Sequence, residues 1–362
     1  MLKERASIDA GGLGIALTGL SAGLLIGTRV AGPILRRLGD RPVIRLAVLL
    51  MAAALGALPV LTSLGSLASG FIALGVVSGV LDIGMNDAAV AVERLAQRRV
   101  MSAIHGTWSV AMLASAGIAS IALSAGLDIS SYFAGIAVVL GAATFPFLRR
   151  LPSDDITSAD PPVVPAPGGR PNVHRGAVVA LCIVGGASFI VEGTANEWSA
   201  VYLRDHVRAS HGVAAFGVVA FSAGMVASRF IGDRLATRLG ATMVVRSGAA
   251  TGAILLGAAL WIGGVAATVA AFAAIGIGIG PVVPLAISAA GRITTRPGRS
   301  ALSVVVTSSY VGSVAGPAVL GFTADRAGLR VAFILPVVAS VVIAMLAGAV
   351  GTVERLRETR SG

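Results

Sequence analysis

The sequence predicts an all-α polytopic membrane protein of about 11 spans, arranged as five helices, a polar linker and six more helices. Three observations carry that prediction. Apolar runs of about 20 residues or more recur along the whole chain, each long enough to cross a ~30 Å hydrocarbon core. The chain is 56% hydrophobic and 12% charged, with a mean hydropathy of +0.89, whereas soluble domains are roughly 25% charged. Finally, its arginines crowd into alternate loops, the distribution that sidedness rules expect of a multi-pass protein.

The spans read approximately as 11–35, 43–64, 66–92, 100–125, 131–148, 176–203, 210–232, 241–264, 266–289, 300–323 and 329–352. The first ends in "RVAGPILRRLGDRPVIR" from Arg29, and the second, "LAVLLMAAALGALPVL", holds no polar side chain. The third breaks its apolar character with Asp82 and, one helical turn later, Asn86. The fourth carries His105 and Trp108 near its start, and the fifth is plain. The sixth contains Cys182, then Glu192 with Asn196 at the same four-residue spacing, then Trp198 and Tyr202 towards its external end. The seventh ends in "RFIGDRLATRLGATMVVR" from Arg229. The eighth is plain, and the ninth contains "GIGIGPVVP" at Gly276–Pro284. The tenth offers Ser308, Ser309 and Tyr310 before "GSVAGPAVLG", and in the eleventh, "VAFILPVVASVVIAMLAGAV", only Ser340 is polar.

Between the fifth and sixth spans, residues 149–175 contain six prolines and read as a linker rather than a helix. The expected domains are therefore 1–148, the linker 149–175, and 176–362. The arginine-rich loops follow the odd-numbered spans up to the ninth, and only Lys3, Arg5, Arg204, Arg208, Arg326 and Arg330 fall on the other side. This asymmetry puts the linker and the C-terminus in the cytoplasm and the protein in the cytoplasmic (inner) membrane.

The net charge of +11 is accounted for by the same rule. Of 28 basic residues only Lys3 is a lysine, and no contiguous basic face emerges, so nucleic acid is not an expected partner. The lone Cys182 lies inside an apolar span as a packing residue, and no disulfide framework exists. There is no Walker motif, metal-ligand cluster, nucleophile elbow or haem motif, so no enzyme activity, cofactor or metal is expected. "GIGIG" has no following Lys-Ser/Thr and reads as a bend, because Pro281 and Pro284 remove backbone donors. "GSVAGPAVLG" reads as a small-residue packing face.

The two halves resemble each other. "RVAGPILRRLGDRPVIR" and "RFIGDRLATRLGATMVVR" share Arg-x-x-Gly, then Leu-Gly, then Arg, with one residue inserted in the second copy. "RVMSAIHGTWS" from Arg99 and "RSALSVVVTSSY" from Arg299 repeat at nearly the same offset. Internal duplication of this kind is a common transporter construction, with the substrate site between repeats near the midplane.

These paired loops resemble the signature loops of the major facilitator superfamily, and the resemblance extends over nearly the whole chain. "LDIGMNDAAVAVERLAQRRVMSAIHGTWS" and "VEGTANEWSAVYLRD" resemble its fucose-permease-like branch and relatives of unassigned substrate. The family's aspartate four residues after the first loop glycine is Arg36 here, with acids instead at Asp40 and Asp233. The resemblance implies gating roles for the loop residues Arg29, Gly32, Gly39, Asp40, Arg229, Gly232, Asp233 and Gly240. Arg29 and Arg229, a turn or so inside their spans, are expected to snorkel to the cytoplasmic interface. It also implies six helices per half, so the first family helix is expected to be missing, with "LKERASIDAGGLG" in place of the external loop after it. Counted that way, the plain second, fifth, eighth and eleventh spans are the family's lipid-facing helices.

An ionisable side chain inside a span costs roughly 2.5–3.5 kcal/mol on insertion scales and marks a functional site by default. Asp82 with Asn86, and Glu192 with Asn196, each share one helical face. The resemblance puts both faces at the central cavity, where a carboxyl group in a low dielectric can hold a proton and exchange it with either side. The competing reading makes each acid part of a buried hydrogen-bond network. His105 can relay protons, bind a solute hydroxyl, or simply bond between helices; Trp108 lies beside it. Trp198 and Tyr202 suit an interfacial aromatic belt, and the serines commonly bond back to their own helix.

The expected function is proton-coupled secondary transport of a small polar solute through the bilayer by rocking of two bundles. Its partners are then the solute, protons and lipid, and a monomer is the default. Proton-driven efflux of a drug or metabolite, and a transport-inactive membrane sensor or scaffold, remain alternatives.

Overall fold

The computed structural model describes residues 10–148, 171–293 and 301–351. These residues are helical throughout apart from short turns, and helices occupy all eleven span positions. They are α1 (Ala10–Leu38), α2 (Asp40–Ala57), α3 (Leu64–Ala96), α4 (Met101–Ser124), α5 (Ile129–Leu148) and α6 (Pro171–Val201). They continue as α7 (Phe216–Leu239), α8 (Ala241–Ile262), α9 (Val265–Ile279), α10 (Val282–Ala290), α11 (Ala301–Ala327) and α12 (Ile334–Leu346). Among the described residues nine helices are long and apolar enough to cross a membrane, α9 and α10 counting as one. α4, with 24 residues, and α5, with 20, fill the fourth and fifth positions. The linker at 149–170, the N-terminal residues 1–9 and the loop at 294–300 lie outside the described residues.

The helix ends follow from backbone chemistry. Gly39 (φ 81°) and Gly240 (φ 82°) are the single residues joining α1 to α2 and α7 to α8, in a region that L side chains avoid. Their N–H groups bond back to Leu35 O and Ala236 O, closing the preceding helices. The "GIGIGPVVP" stretch does break its span: helix stops at Ile279 and resumes at Val282 across Gly280 and Pro281.

The chain forms two compact units. One comprises residues 1–95, 111–164 and 296–303; the other comprises 96–110, 165–295 and 304–362. α4 therefore starts in the second unit and continues in the first. In the first unit α1 lies directly on α3: a Cβ at Gly23 would strike the Ile72 carbonyl, and one at Gly75 the Leu20 carbonyl. Small residues allow such backbone approach where lipid provides no hydrophobic force between helices. In the second unit α7 meets α9 the same way, Gly224 against the Ala273 carbonyl and Gly276 against the Phe221 carbonyl. The plain helices carry much of the exposed apolar surface: Leu46, Leu49 and Leu50 on α2, Val138 and Val139 on α5, Ile254 and Trp261 on α8, and Met345 on α12. The segment Val265–Ala290 is the most enclosed of the spans.

These contacts correct the register of the duplication. Each residue in the α1–α3 contact has its counterpart in the α7–α9 contact at a number 201 higher, and so do the junction glycines Gly39 and Gly240. No residue is inserted in the second copy between these points. Arg229 is therefore the counterpart of Thr28, Gly232 of Ala31, and Asp233 of Gly32; Arg29 and Arg229 are not equivalent. Burial agrees, since Thr28 and Arg229 are buried whereas Arg29 and its counterpart Phe230 are exposed. A one-residue slip turns a helical side chain by about 100°, enough to move it from core to surface.

Candidate functional site

On α3, four-residue spacing stacks Asn86 over Asp82. The Asn86 amide donates to the Asp82 backbone carbonyl at 2.8 Å and to its carboxylate Oδ1 at 3.1 Å. Asn86 is buried and Asp82 half-buried. Two acids the sequence reading passed over sit on the same helix: Asp87, half-buried and within electrostatic reach of Asp40 and Arg94, and Glu93, which is buried. Their charge in "NDAAVAVERL" was visible, but the run of small apolar residues around them reads as the end of a span.

In the second unit the structure assembles a cluster around Arg229. Its side chain is 5% exposed and pairs with Glu192, 18% exposed, through Nη2 and Oε2 at 3.4 Å. Nη1 donates to Ser109 Oγ at 2.5 Å, and Nε to the Gly280 carbonyl at 3.3 Å. The last bond has a covalent origin. Gly280 O is the acceptor that residue 284 would normally use, but Pro284 has no N–H. The proline break thus exposes a carbonyl, and a guanidinium from the next helix takes it.

This contradicts the expectation that Arg229 snorkels to the interface. It lies ten residues before the last residue of α7, about 15 Å along the axis at 1.5 Å per residue, and its head turns inward to three partners. Removing one partner of such a buried pair costs roughly 3–5 kcal/mol. Neither Ser109 nor the Gly280 carbonyl was signalled by residue type. The depth of Arg229 within its span was the available clue.

The other expected site residues are placed as follows. His105 is half-buried, with Nδ1 at 3.0 Å from the Met101 carbonyl of its own helix, and the Ser109 hydroxyl that serves Arg229 donates back to the His105 carbonyl. Trp108 is 52% exposed. Asn196, one turn beyond Glu192, is exposed. Asp82 and Asn86 belong to the first unit; Glu192, Asn196, His105 and Trp108 belong to the second.

Among the loop residues, Asp233 accepts the backbone N–H groups of Ser102 at 3.1 Å and Ala103 at 2.9 Å. Gly232 lies against Ser102, leaving no room there for a Cβ. Asp40 is buried at the first position of α2, where the carboxylate faces the positive end of the helix. Arg29 is exposed on α1, and Gly32 is buried.

Comparison with known proteins gives the following. The Major Facilitator Superfamily model matches residues 1–299 and 177–361. An uncharacterised MFS-type transporter of Yersinia pestis is 30% identical over 91% of this chain and 84% of its own length. An uncharacterised transporter of Sinorhizobium fredii is also 30% identical, over 92% of this chain and 87% of its own length. Membrane protein MosC of Rhizobium meliloti is 26% identical over 95% and 82%. Among solved structures, the Escherichia coli fucose:proton symporter FucP superposes with a TM-score of 0.74 at 17% identity, covering 96% of this chain and 92% of that one. The proton:xylose symporter XylE gives 0.69 at 13% identity, covering 92% and 85%.

Proposed function

The chain belongs to the major facilitator superfamily, and on that premise we propose that it is a proton-coupled secondary transporter. It carries a small polar solute across the cytoplasmic membrane by alternating access. The observation that bears most weight is the retention of ionisable groups within membrane-length helices: half-buried Asp82 on α3, and Glu192, paired with Arg229, on α6. A purely structural acid would gain by complete burial among donors. Both residues instead remain partly exposed, as a group that exchanges protons requires. Two proteins of the same fold, FucP and XylE, are proton symporters by name; the proposal borrows the coupling and not the sugar.

In this reading Asp82, steadied by Asn86, takes the proton in the first half, and Glu192 and Asn196 line the solute path in the second. His105 and Trp108 stand on the helix shared by the two units. The solute and the proton are the partners, the protein works as a monomer, and the C-terminus is cytoplasmic.

The test is flux in proteoliposomes holding the full chain. An imposed inward proton gradient should drive uphill solute uptake, and collapse of the gradient should abolish it. Asp82→Asn should lose uphill uptake yet keep solute exchange at equal concentrations. Retained uphill uptake in Asp82→Asn rejects the coupling role. A protein that moves no solute in either direction is a sensor or scaffold.

A further inference from the structure

We propose that Arg229 is the solute-binding cation of this chain. The solute is a small carboxylate anion, which takes over Arg229 as Glu192 accepts a proton. The inference rests on the transporter reading above and deepens it by fixing the charge of what is carried.

Arg229 is already held by three partners. Of its three partners two are neutral, Ser109 Oγ and the Gly280 carbonyl; the third is the Glu192 carboxylate. The neutral bonds fix the guanidinium in place through Nε and Nη1. The carboxylate contact is single, through one oxygen at 3.4 Å, where a guanidinium–carboxylate bond is normally 2.7–2.9 Å and often two-pronged. A rigidly held cation that grips its carboxylate by one long contact is poised to exchange it for a better-fitting one. Glu192 is the more exposed member of the pair, so exchange proceeds from its side.

Charge balance then selects the solute. With Glu192 ionised the pair is neutral. If Glu192 takes a proton while the solute is uncharged, a nearly buried guanidinium is left without a counter-charge, which a low-dielectric interior penalises heavily. If the solute is a carboxylate, the site holds a protonated Glu192, Arg229 and the anion, and its net charge is unchanged. At this site one proton and one monocarboxylate bind together with no change of net charge, apart from the proton that Asp82 takes in the first half. Asp233, one turn beyond Arg229 on α7, holds the Ser102 and Ala103 N–H groups with its carboxylate; it is present whichever state Glu192 adopts and leaves the difference between the two states unchanged. Residues 265–290 and 334–346 contain no titratable side chain, and Tyr310 of α11 packs its ring edgewise on Phe189. His105 lies one residue from Gly106, which packs on Arg229 Cβ, and its Nδ1 faces the Met101 carbonyl. On α6 itself, Cys182 and Glu197 stand more than a turn from Glu192.

The experiment is equilibrium binding to the detergent-purified full chain, using radiolabelled acetate, lactate, benzoate and succinate, with L-fucose as the neutral probe. Proton uptake is recorded in weakly buffered solution with an indicator dye. The expected result is saturable binding of at least one carboxylate, with one proton taken up per anion, and none for L-fucose. Glu192→Gln should bind the same anion at least tenfold tighter at pH 8 and without proton uptake. Arg229→Lys, which keeps the charge but not the fork, should bind it at least tenfold more weakly. Absence of binding by all four carboxylates, proton-linked binding of L-fucose, or unaltered affinity in both variants overturns the proposal. Proton-driven flux of a neutral solute would overturn it while sparing the transporter reading. Carboxylate binding with the expected stoichiometry but no flux would do the reverse.

Discussion

Asp233 holds the start of α4 with both oxygens, Oδ1 on the N–H of Ser102 and Oδ2 on that of Ala103. These are the second and third residues of a helix whose first N–H groups have no partner within it. A buried carboxylate there satisfies two donors and places negative charge at the positive end of the helix dipole. Because residues 96–110 belong to the second compact unit and the rest of α4 to the first, this cap fastens the beginning of a helix that both units share.

Loss of the cap should be measurable locally. Asp233→Ala should destabilise the start of α4 by about 1–3 kcal/mol, the range for bonds to a charged acceptor. The Ser102 and Ala103 amides should then exchange with solvent roughly ten- to hundredfold faster in hydrogen-exchange mass spectrometry of the α4 peptide. Asp233→Asn, which retains one acceptor oxygen, should fall between. Unchanged exchange in Asp233→Ala would show that the contact contributes nothing.

The glycine contacts make a paired prediction. Gly23→Ala and its counterpart Gly224→Ala each drive a methyl group into a facing carbonyl, and each should cost roughly 1–3 kcal/mol, as overpacking generally does. Gly135→Ala and Gly141→Ala, on α5, meet nothing within 4 Å. They should be neutral or gain up to about 1 kcal/mol of helix propensity. Unfolding midpoints of the four variants in one detergent would decide it. A similar cost in all four would mean the close approach is not what holds α1 to α3 and α7 to α9.

The spans were legible in the sequence because a run of about 20 apolar residues admits little else. The break at Gly280 was legible too, since Pro281 and Pro284 forbid the backbone bonds a continuous helix needs. The register of the duplication was not. Arg-x-x-Gly and Leu-Gly are short patterns in a chain rich in Arg, Gly and Leu, and aligning Arg29 with Arg229 sets a coincidence of residue type against the packing. What fixes the register is carbonyl-to-glycine contact between helices fifty residues apart, which no local pattern encodes. The same limit hides the Arg229 cluster: Glu192 stands out as an acid in a span, whereas the loop pattern sets its partner at the membrane surface.

Asp82 and Asn86 separate a chemical role from a structural one. Asp82→Asn keeps the oxygen that accepts from Asn86 and removes the charge, so the folded protein should persist with its unfolding midpoint within about 1 °C, equivalent to roughly 0.5 kcal/mol. Asn86→Ala removes the donor instead, at about 1 kcal/mol, and should leave proton-driven uptake weakened but present. Uptake measured against an imposed gradient, beside the midpoint, distinguishes the two. A collapse of expression in Asp82→Asn would assign the residue to the scaffold.

The two arginines of the paired loops give the sharpest contrast. Sequence pattern alone predicts the same consequence for replacing either. The structure separates them, because Arg29 is exposed on α1 whereas Arg229 is buried among Glu192, Ser109 and the Gly280 carbonyl. Arg29→Ala should change stability by no more than about 0.5 kcal/mol, as surface substitutions do. Arg229→Ala leaves the Gly280 carbonyl and Ser109 without their donor and Glu192 without its counter-charge, and should cost about 3 kcal/mol, the lower end for a broken buried pair, since Glu192 retains some water. Adding Glu192→Ala to Arg229→Ala should return part of that loss, with a coupling of about 0.5–3 kcal/mol between the two sites. Arg29→Ala combined with Glu192→Ala should be additive. Denaturant unfolding of the five variants in detergent completes the cycle. Equal costs for Arg29→Ala and Arg229→Ala would restore the equivalence suggested by the repeated loop and remove Arg229 from the site.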